Sequence, residues 1–158
     1  MRALVIMTVL AIGSTALAEA TTQPGAKPVA MIEAEAMNLE KAQTKPIPGH
    51  DSAKAALLDA GDSRATTTIK LPEGKYHLIV YIYATDTGAD AVFVDVDDTE
   101  YAVFAGETEK LVPHSRHTHF ADEVEQIEIK STGQPIKLTL RPKDLGAYVD
   151  RLEIYHAK

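Results

Sequence analysis

Three acids near opposite ends of the chain are the residues whose types and spacing are best suited to chemistry. Glu33 and Glu35 interrupt the apolar run Val29-Ala30-Met31-Ile32-Glu33-Ala34-Glu35-Ala36-Met37, and Asp150 is set into Gly146-Ala147-Tyr148-Val149-Asp150-Arg151-Leu152-Glu153-Ile154-Tyr155. Read as a strand, the first run places Glu33 and Glu35 on one face between Met31 and Met37, with Ile32, Ala34 and Ala36 on the other. Carboxylates hemmed in this way must be paired, protonated or bound to a cation, because an isolated buried charge is too costly. With the first and last strands as neighbours, Asp150 completes a three-acid cluster suited to a hard cation such as calcium. The alternative is that Glu33 and Glu35 are solvated on an edge strand and Asp150 pairs with Arg151 or a lysine.

Other groupings are candidates for binding. His77, Tyr81 and Tyr83 share one face of the strand Lys75 to Ala84, and Phe93 and Asp95 face outward from Ala91 to Val96, its expected partner. Together they would form an aromatic and acidic platform, unless that face is packed under loops. A second candidate lies in the loops Thr85 to Asp90, Asp97 to Tyr101 and Arg141 to Tyr148, which carry Asp86, Asp90, Tyr101, Arg141, Asp144 and Tyr148. A third is His114-Ser115-Arg116-His117-Thr118-His119, where His117 and His119 at i and i+2, with His114 near, have zinc- or copper-binding spacing; a solvated histidine-rich loop is the alternative. Catalytic signatures are lacking: no G-x-S-x-G, no H-E-x-x-H, no P-loop and no cysteine. Asp95 and Asp97 form an acid pair of the kind glycosidases use, but in a strand and turn of a small domain. Binding without catalysis is the expectation.

The elements that must position these residues read as all-β. Tyr76, Leu78, Val80 and Ile82 alternate with His77, Ile79, Tyr81 and Tyr83, and Val92, Val94 and Val96 repeat the period. Further strands fit Thr67 to Leu71, Tyr101 to Phe104, Thr118 to Ala121, Val124 to Ile129, Ile136 to Leu140 and Tyr148 to Tyr155. Turns are expected at Pro72-Glu73-Gly74, Gly106, Thr132-Gly133 and Asp144-Leu145-Gly146. Lys41 to Asp51, with two prolines and a glycine, reads as a loop, and the period of Ala53 to Ala60 does not decide between helix and strand. Many short strands with regular punctuation predict a jelly-roll β-sandwich.

Residues 1–18 read as a secretory signal peptide, with Arg2, the apolar stretch Ala3 to Ile12 and an Ala16-Leu17-Ala18 cleavage motif; residues 19–27 read as a flexible leader and 28–158 as one domain. The expected location is secreted or periplasmic, with no membrane span. A net charge of −7 without a Lys/Arg cluster makes nucleic acid and anionic membrane poor partners. With no cysteine, the fold must be held by its core or by a metal.

The segments Ile32-Glu33-Ala34-Glu35-Ala36, Leu71-Pro72-Glu73-Gly74-Lys75-Tyr76-His77-Leu78 and Arg141-Pro142-Lys143-Asp144-Leu145-Gly146-Ala147-Tyr148-Val149-Asp150-Arg151-Leu152 carry a resemblance. In order and spacing the chain from Val29 to Tyr155 resembles the family-six and family-thirty-five carbohydrate-binding modules, which are galactose-binding-like β-sandwiches. The resemblance implies a structural calcium where the first and last strands meet, with Glu33 and Glu35 matching the acidic pair and Asp150 the terminal aspartate. It also implies a glycan partner held by end-loops and aromatic rings. This chain has no tryptophan, so tyrosine or phenylalanine would take that part. The expected function is a lectin-like, non-catalytic glycan-binding module. The alternative is a cell-surface or periplasmic domain that keeps the fold to bind another exported protein.

Overall fold

The computed structural model describes residues 27–105, 109–114, 116–118 and 124–157. Its strands, in chain order, are β1 (Ala30–Glu33), β2 (Asn38–Glu40), β3 (Gln43–Ile47), β4 (His50–Leu58), β5 (Arg64–Lys70), β6 (Gly74–Tyr83), β7 (Ala91–Val96), β8 (Thr99–Phe104), β9 (Leu111–His114), β10 (Arg116–Thr118), β11 (Val124–Gln126), β12 (Glu128–Ser131), β13 (Pro135–Pro142) and β14 (Ala147–His156). The signal peptide and most of the leader lie outside the described residues, as do His119 and the side chains of His114 and His117.

Alternation along these strands builds two antiparallel sheets with a shared core, the jelly-roll sandwich expected from the sequence. Tyr76, Leu78, Val80 and Ile82 of β6 turn inward with Val149, Leu152 and Ile154 of β14. They meet Val92, Val94, Leu138 and Leu140 from β7 and β13 of the other sheet. In the first sheet β6 and β14 are the central pair. β4 and then β1 flank β14, while β12 and then β9 flank β6, and β3 closes the β4 edge. The second sheet runs β2-β5-β13-β7-β8, and β10 pairs with β11.

Several expectations change. Val29 to Met37 is not one strand: β1 ends at Glu33, and Ala34–Ala36 form a 3-10 turn closed by Met37 N–H on the Ala34 carbonyl. Glu33 and Glu35 are therefore not related by strand alternation. Ala36 is exposed and Met37 buried, the reverse of a regular strand reading. The proline-bearing stretch after Lys41 contains β3 and the start of β4, because Pro46 sits on an edge strand where a missing N–H is tolerated. Ala53 to Leu58 is strand, not helix. The expected strand Val124 to Ile129 divides into β11 and β12 around buried Ile127. β7 is not the partner of β6. It pairs with β13 and β8 in the opposite sheet, so Phe93 and Asp95 do not share a face with Tyr81 and Tyr83.

Candidate functional site

The outer faces of the two sheets carry two separate polar clusters. On the first sheet the register of β14 against β6 slips between Val149 and Leu152, which places both Asp150 and Arg151 opposite Tyr81. Such a bulge re-aims side chains. Arg151 lies over the Tyr81 ring, 3.7 Å from its centroid. Its Nε donates to Glu153 Oε1 at 2.8 Å, and its Nη1 donates to Asp150. Glu153, only 4% exposed, also accepts from Tyr81 (3.1 Å) and Tyr155 (2.6 Å). Burial alone would raise the Glu153 carboxyl, but the hydrogen bonds from Tyr155, Arg151 and Tyr81 outweigh it and hold it below its ordinary value. Burial and the bond to Glu153 push the Tyr155 hydroxyl up to about 12.

The terminal acids meet beside this cluster. β1 pairs with β14, setting Glu33 opposite Arg151. Burial, then the neighbouring Glu35 and Asp150 carboxylates, raise Glu33 above its ordinary value, while Arg151 opposes the shift. Glu35 Oε2 is buried without a hydrogen-bond partner. The acids are thus neighbours through strand pairing and a turn rather than through a shared strand face. Asp150 does pair with Arg151, and among the described residues no group of three or more His, Cys, Asp or Glu is arranged to hold a metal ion.

Several residues singled out from the sequence are structural. Tyr83 is buried with Ile47 and Ala55 in a small cluster that takes in Tyr148, the two rings meeting edge to face at 6.0 Å. Neither is a free platform. Tyr101 pairs with Val94, packs against the main core and donates to the Glu128 carbonyl at 3.3 Å. The three loops do not share one end. The Asp86 carboxylate closes its own turn on Gly88 N–H, the Asp90 backbone carbonyl accepts Ala105 N–H, and the Asp144 backbone N–H reaches the Ala91 carbonyl. The Asp97 turn lies at the far end of β7, pinned to Lys137 by reciprocal backbone and side-chain bonds of 2.8 Å. Asp97 adopts a φ of 51°, which a short polar side chain tolerates.

Phe93, Asp95 and Arg141 do converge, on the outer face of the second sheet. The Arg141 guanidinium holds Asp95 through two bonds of 2.7 and 2.8 Å, reaches Glu100 and stands 5.0 Å from the Phe93 centroid. The bonds to Asp95 raise the guanidinium further above its usual value. Beside this group an open groove of about 310 Å³ crosses four strands, lined by Asn38 and Glu40, Arg64 and Thr66, Lys137 and Thr139, and Asp95 and Asp97. Sequence reading missed most of these. The signal was present as polar i, i+2 series, Arg64-Thr66-Thr68 and Lys137-Thr139-Arg141, the second opposite the apolar Ile136-Leu138-Leu140.

The fold matches solved carbohydrate-binding modules. The GH26-CBM35 β-(1,4)-mannanase of Podospora anserina matches 82% of this chain at 13% identity and a TM-score of 0.65, the chain spanning 28% of that enzyme. The CBM6 module of Cellvibrio mixtus lichenase 5A, solved with cellotriose, matches at 17% identity and a TM-score of 0.56, covering 83% of this chain and 99% of the module. A CBM36 module solved with calcium and xylotriose matches at 14% identity and a TM-score of 0.54, covering 80% and 99%. No protein-family model matches the sequence. No curated protein matches it either. Among the described residues no helix is long and apolar enough to cross a membrane.

Proposed function

We propose that this protein is an exported, non-catalytic carbohydrate-binding module whose glycan lies across the outer face of the second sheet. The observation that carries this reading is the groove between Asn38, Glu40 and Arg64 on one side and Asp95, Asp97 and Lys137 on the other. Glycan recognition needs fixed donors and acceptors for hydroxyl groups in a concave, solvent-open surface. An amide, carboxylates, cations and a threonine floor supply both, all on strands except Asp97, which stands in the turn after β7. Modules of the same fold solved with cellotriose and xylotriose lend support from outside the chain. The apolar run Ala3 to Ile12 before Ala16-Leu17-Ala18 supports export.

A calcium ion held by Glu33, Glu35 and Asp150 belongs to the same proposal. Three carboxylates, mutual repulsion at Glu33 and one buried, unpartnered Glu35 oxygen fit a cation in composition. Its chemistry would be charge neutralisation, fastening the first strand to the last, with carbonyls and water completing the oxygen shell.

The test is a glycan array probed with the wild type and with Thr66→Trp, which fills the groove floor. The wild type retains a subset of glycans and the variant, with an unchanged melt, retains none. Equal retention by both would remove the groove from the function. Silence of a folded wild type across every glycan would favour the protein-interaction domain.

A further inference from the structure

We infer that the free edge of β1 pairs, antiparallel, with the same edge of a second copy, joining the first sheets of two molecules into one. Among the described residues β1 is hydrogen-bonded on one side only, to β14. Its inward residues Ala30 and Ile32 pack against the core yet stay partly exposed. Val29 and Met31 are 43% and 53% exposed, two of the four large apolar side chains that reach solvent among the described residues. Other sheet edges are guarded. β3 carries Lys45 and Pro46, β12 carries Glu128 and Lys130, β2 has only three residues, and Glu100 stands on β8. Charges, prolines and short runs of this kind keep a strand edge from pairing. β1 has no lysine, proline or bulge, and its one charge, Glu33, stands at its end.

Charge selects the occupant and its direction. Glu33, Glu35 and Asp150 gather at one end of β1, and the exposed Lys27 stands beyond the other. An antiparallel two-fold pair centred on Met31 sets Met31 against Met31, and Glu33 of each protomer opposite Val29 of its partner and toward Lys27. A parallel pair would put the two acid clusters side by side, where like charges repel. The strand is therefore complementary to its own reverse. A contact over a four-residue strand falls short of the ~1,200 Å² of a stable complex, so the dimer is transient and depends on concentration. The axis of an antiparallel edge pair stands normal to the sheet, which leaves both second sheets on one side with their grooves facing the same way. That consequence rests on the proposed glycan-binding role: two grooves on one polysaccharide surface bind with avidity.

The experiment is sedimentation velocity of the exported protein over a concentration series, comparing wild type with Met31→Lys, each checked by its melt. Wild type should pass from monomer to dimer as concentration rises. The variant sets two ammonium groups at the centre of the pair and should associate at least about tenfold more weakly. Cysteine cross-linking tests the register, since the chain has no cysteine of its own. Met31→Cys places two thiols across the pair within disulfide range and should give a covalent dimer on oxidation. Val29→Cys, whose two copies would lie at opposite ends of the pair, should not. A wild type monomeric at every concentration, a dimer untouched by Met31→Lys, or equal cross-linking at both positions would overturn the inference. Retention on an insoluble polysaccharide should fall at least about tenfold in Met31→Lys. Equal retention by the dimer and the monomeric variant would overturn the two-groove arrangement and leave the glycan site intact. A dimer that retains no glycan would uphold the pairing and set aside the glycan-binding reading alone.

Discussion

The two outer faces of the sandwich use the same residue types to opposite ends. On the first sheet Glu153 takes three donors, Arg151 is shared between two carboxylates and a ring, and Tyr83 is packed against neighbours. Its polar groups are largely satisfied from within the chain, Glu35 Oε2 and His77 Nδ1 being the buried exceptions. On the second sheet the Arg141–Asp95 pair stands at the rim of a groove whose Arg64 and Lys137 have no comparable partner. A buried carboxylate with three bonds holds a fold together, whereas polar side chains left facing water on rigid strands are available to a ligand.

This contrast can be broken most forcefully at Glu153. Replacing it with alanine leaves Arg151 with Asp150 alone and takes the acceptor from two tyrosine hydroxyls in a half-buried site, with an expected cost of about 3 kcal/mol read by denaturant unfolding. A near-neutral result would mean the first face is not structural. Calcium removal comes next. Saturating calcium at about 100 times its dissociation constant would contribute about 2.7 kcal/mol, so chelation should lower the melting temperature. Glu33→Gln with Glu35→Gln should abolish that response, and a wild-type melt indifferent to chelator would dispose of the ion. The smallest effect is in pH. Because the folded Glu153 pKa lies below its ordinary 4.5, the stability it contributes is present above that value and lost as pH falls through the folded one. The wild-type melting temperature should therefore drop more steeply below about pH 4.5 than that of Glu153→Gln. Parallel slopes would contradict the hydrogen-bonded carboxylate.

How much of this was legible in the sequence depends on the distance over which each feature is set. Alternation in β6, β7 and β13 is local, so Leu78, Val94 and Leu138 could be placed in the core from their period alone. The meeting of Glu33 with Asp150 was legible through the resemblance, although the route differs because Glu35 rides on a 3-10 turn. Sheet membership was not legible. Phe93 and Asp95 follow Tyr81 and Tyr83 by one loop, and nothing local tells a hairpin from a crossing between sheets. Glu153 was only half legible: Arg151 and Tyr155 flank it at i−2 and i+2 on β14, but Tyr81 reaches it from β6 and the bulge at Asp150 and Arg151 sets that register. The groove was hidden for the same reason, being assembled from β2, β5, β13 and β7.

The division between a self-satisfied face and a ligand-facing one is tested most directly by backbone-amide NMR during titration with a glycan retained on the array. Resonances of Asn38, Thr66, Lys137 and Thr139 should shift with ligand while those of Tyr81, Arg151 and Glu153 stay in place. Shifts concentrated at Tyr81, Arg151 and Glu153, or in the loops around Asp86 and Asp144, with a silent second sheet, would contradict it.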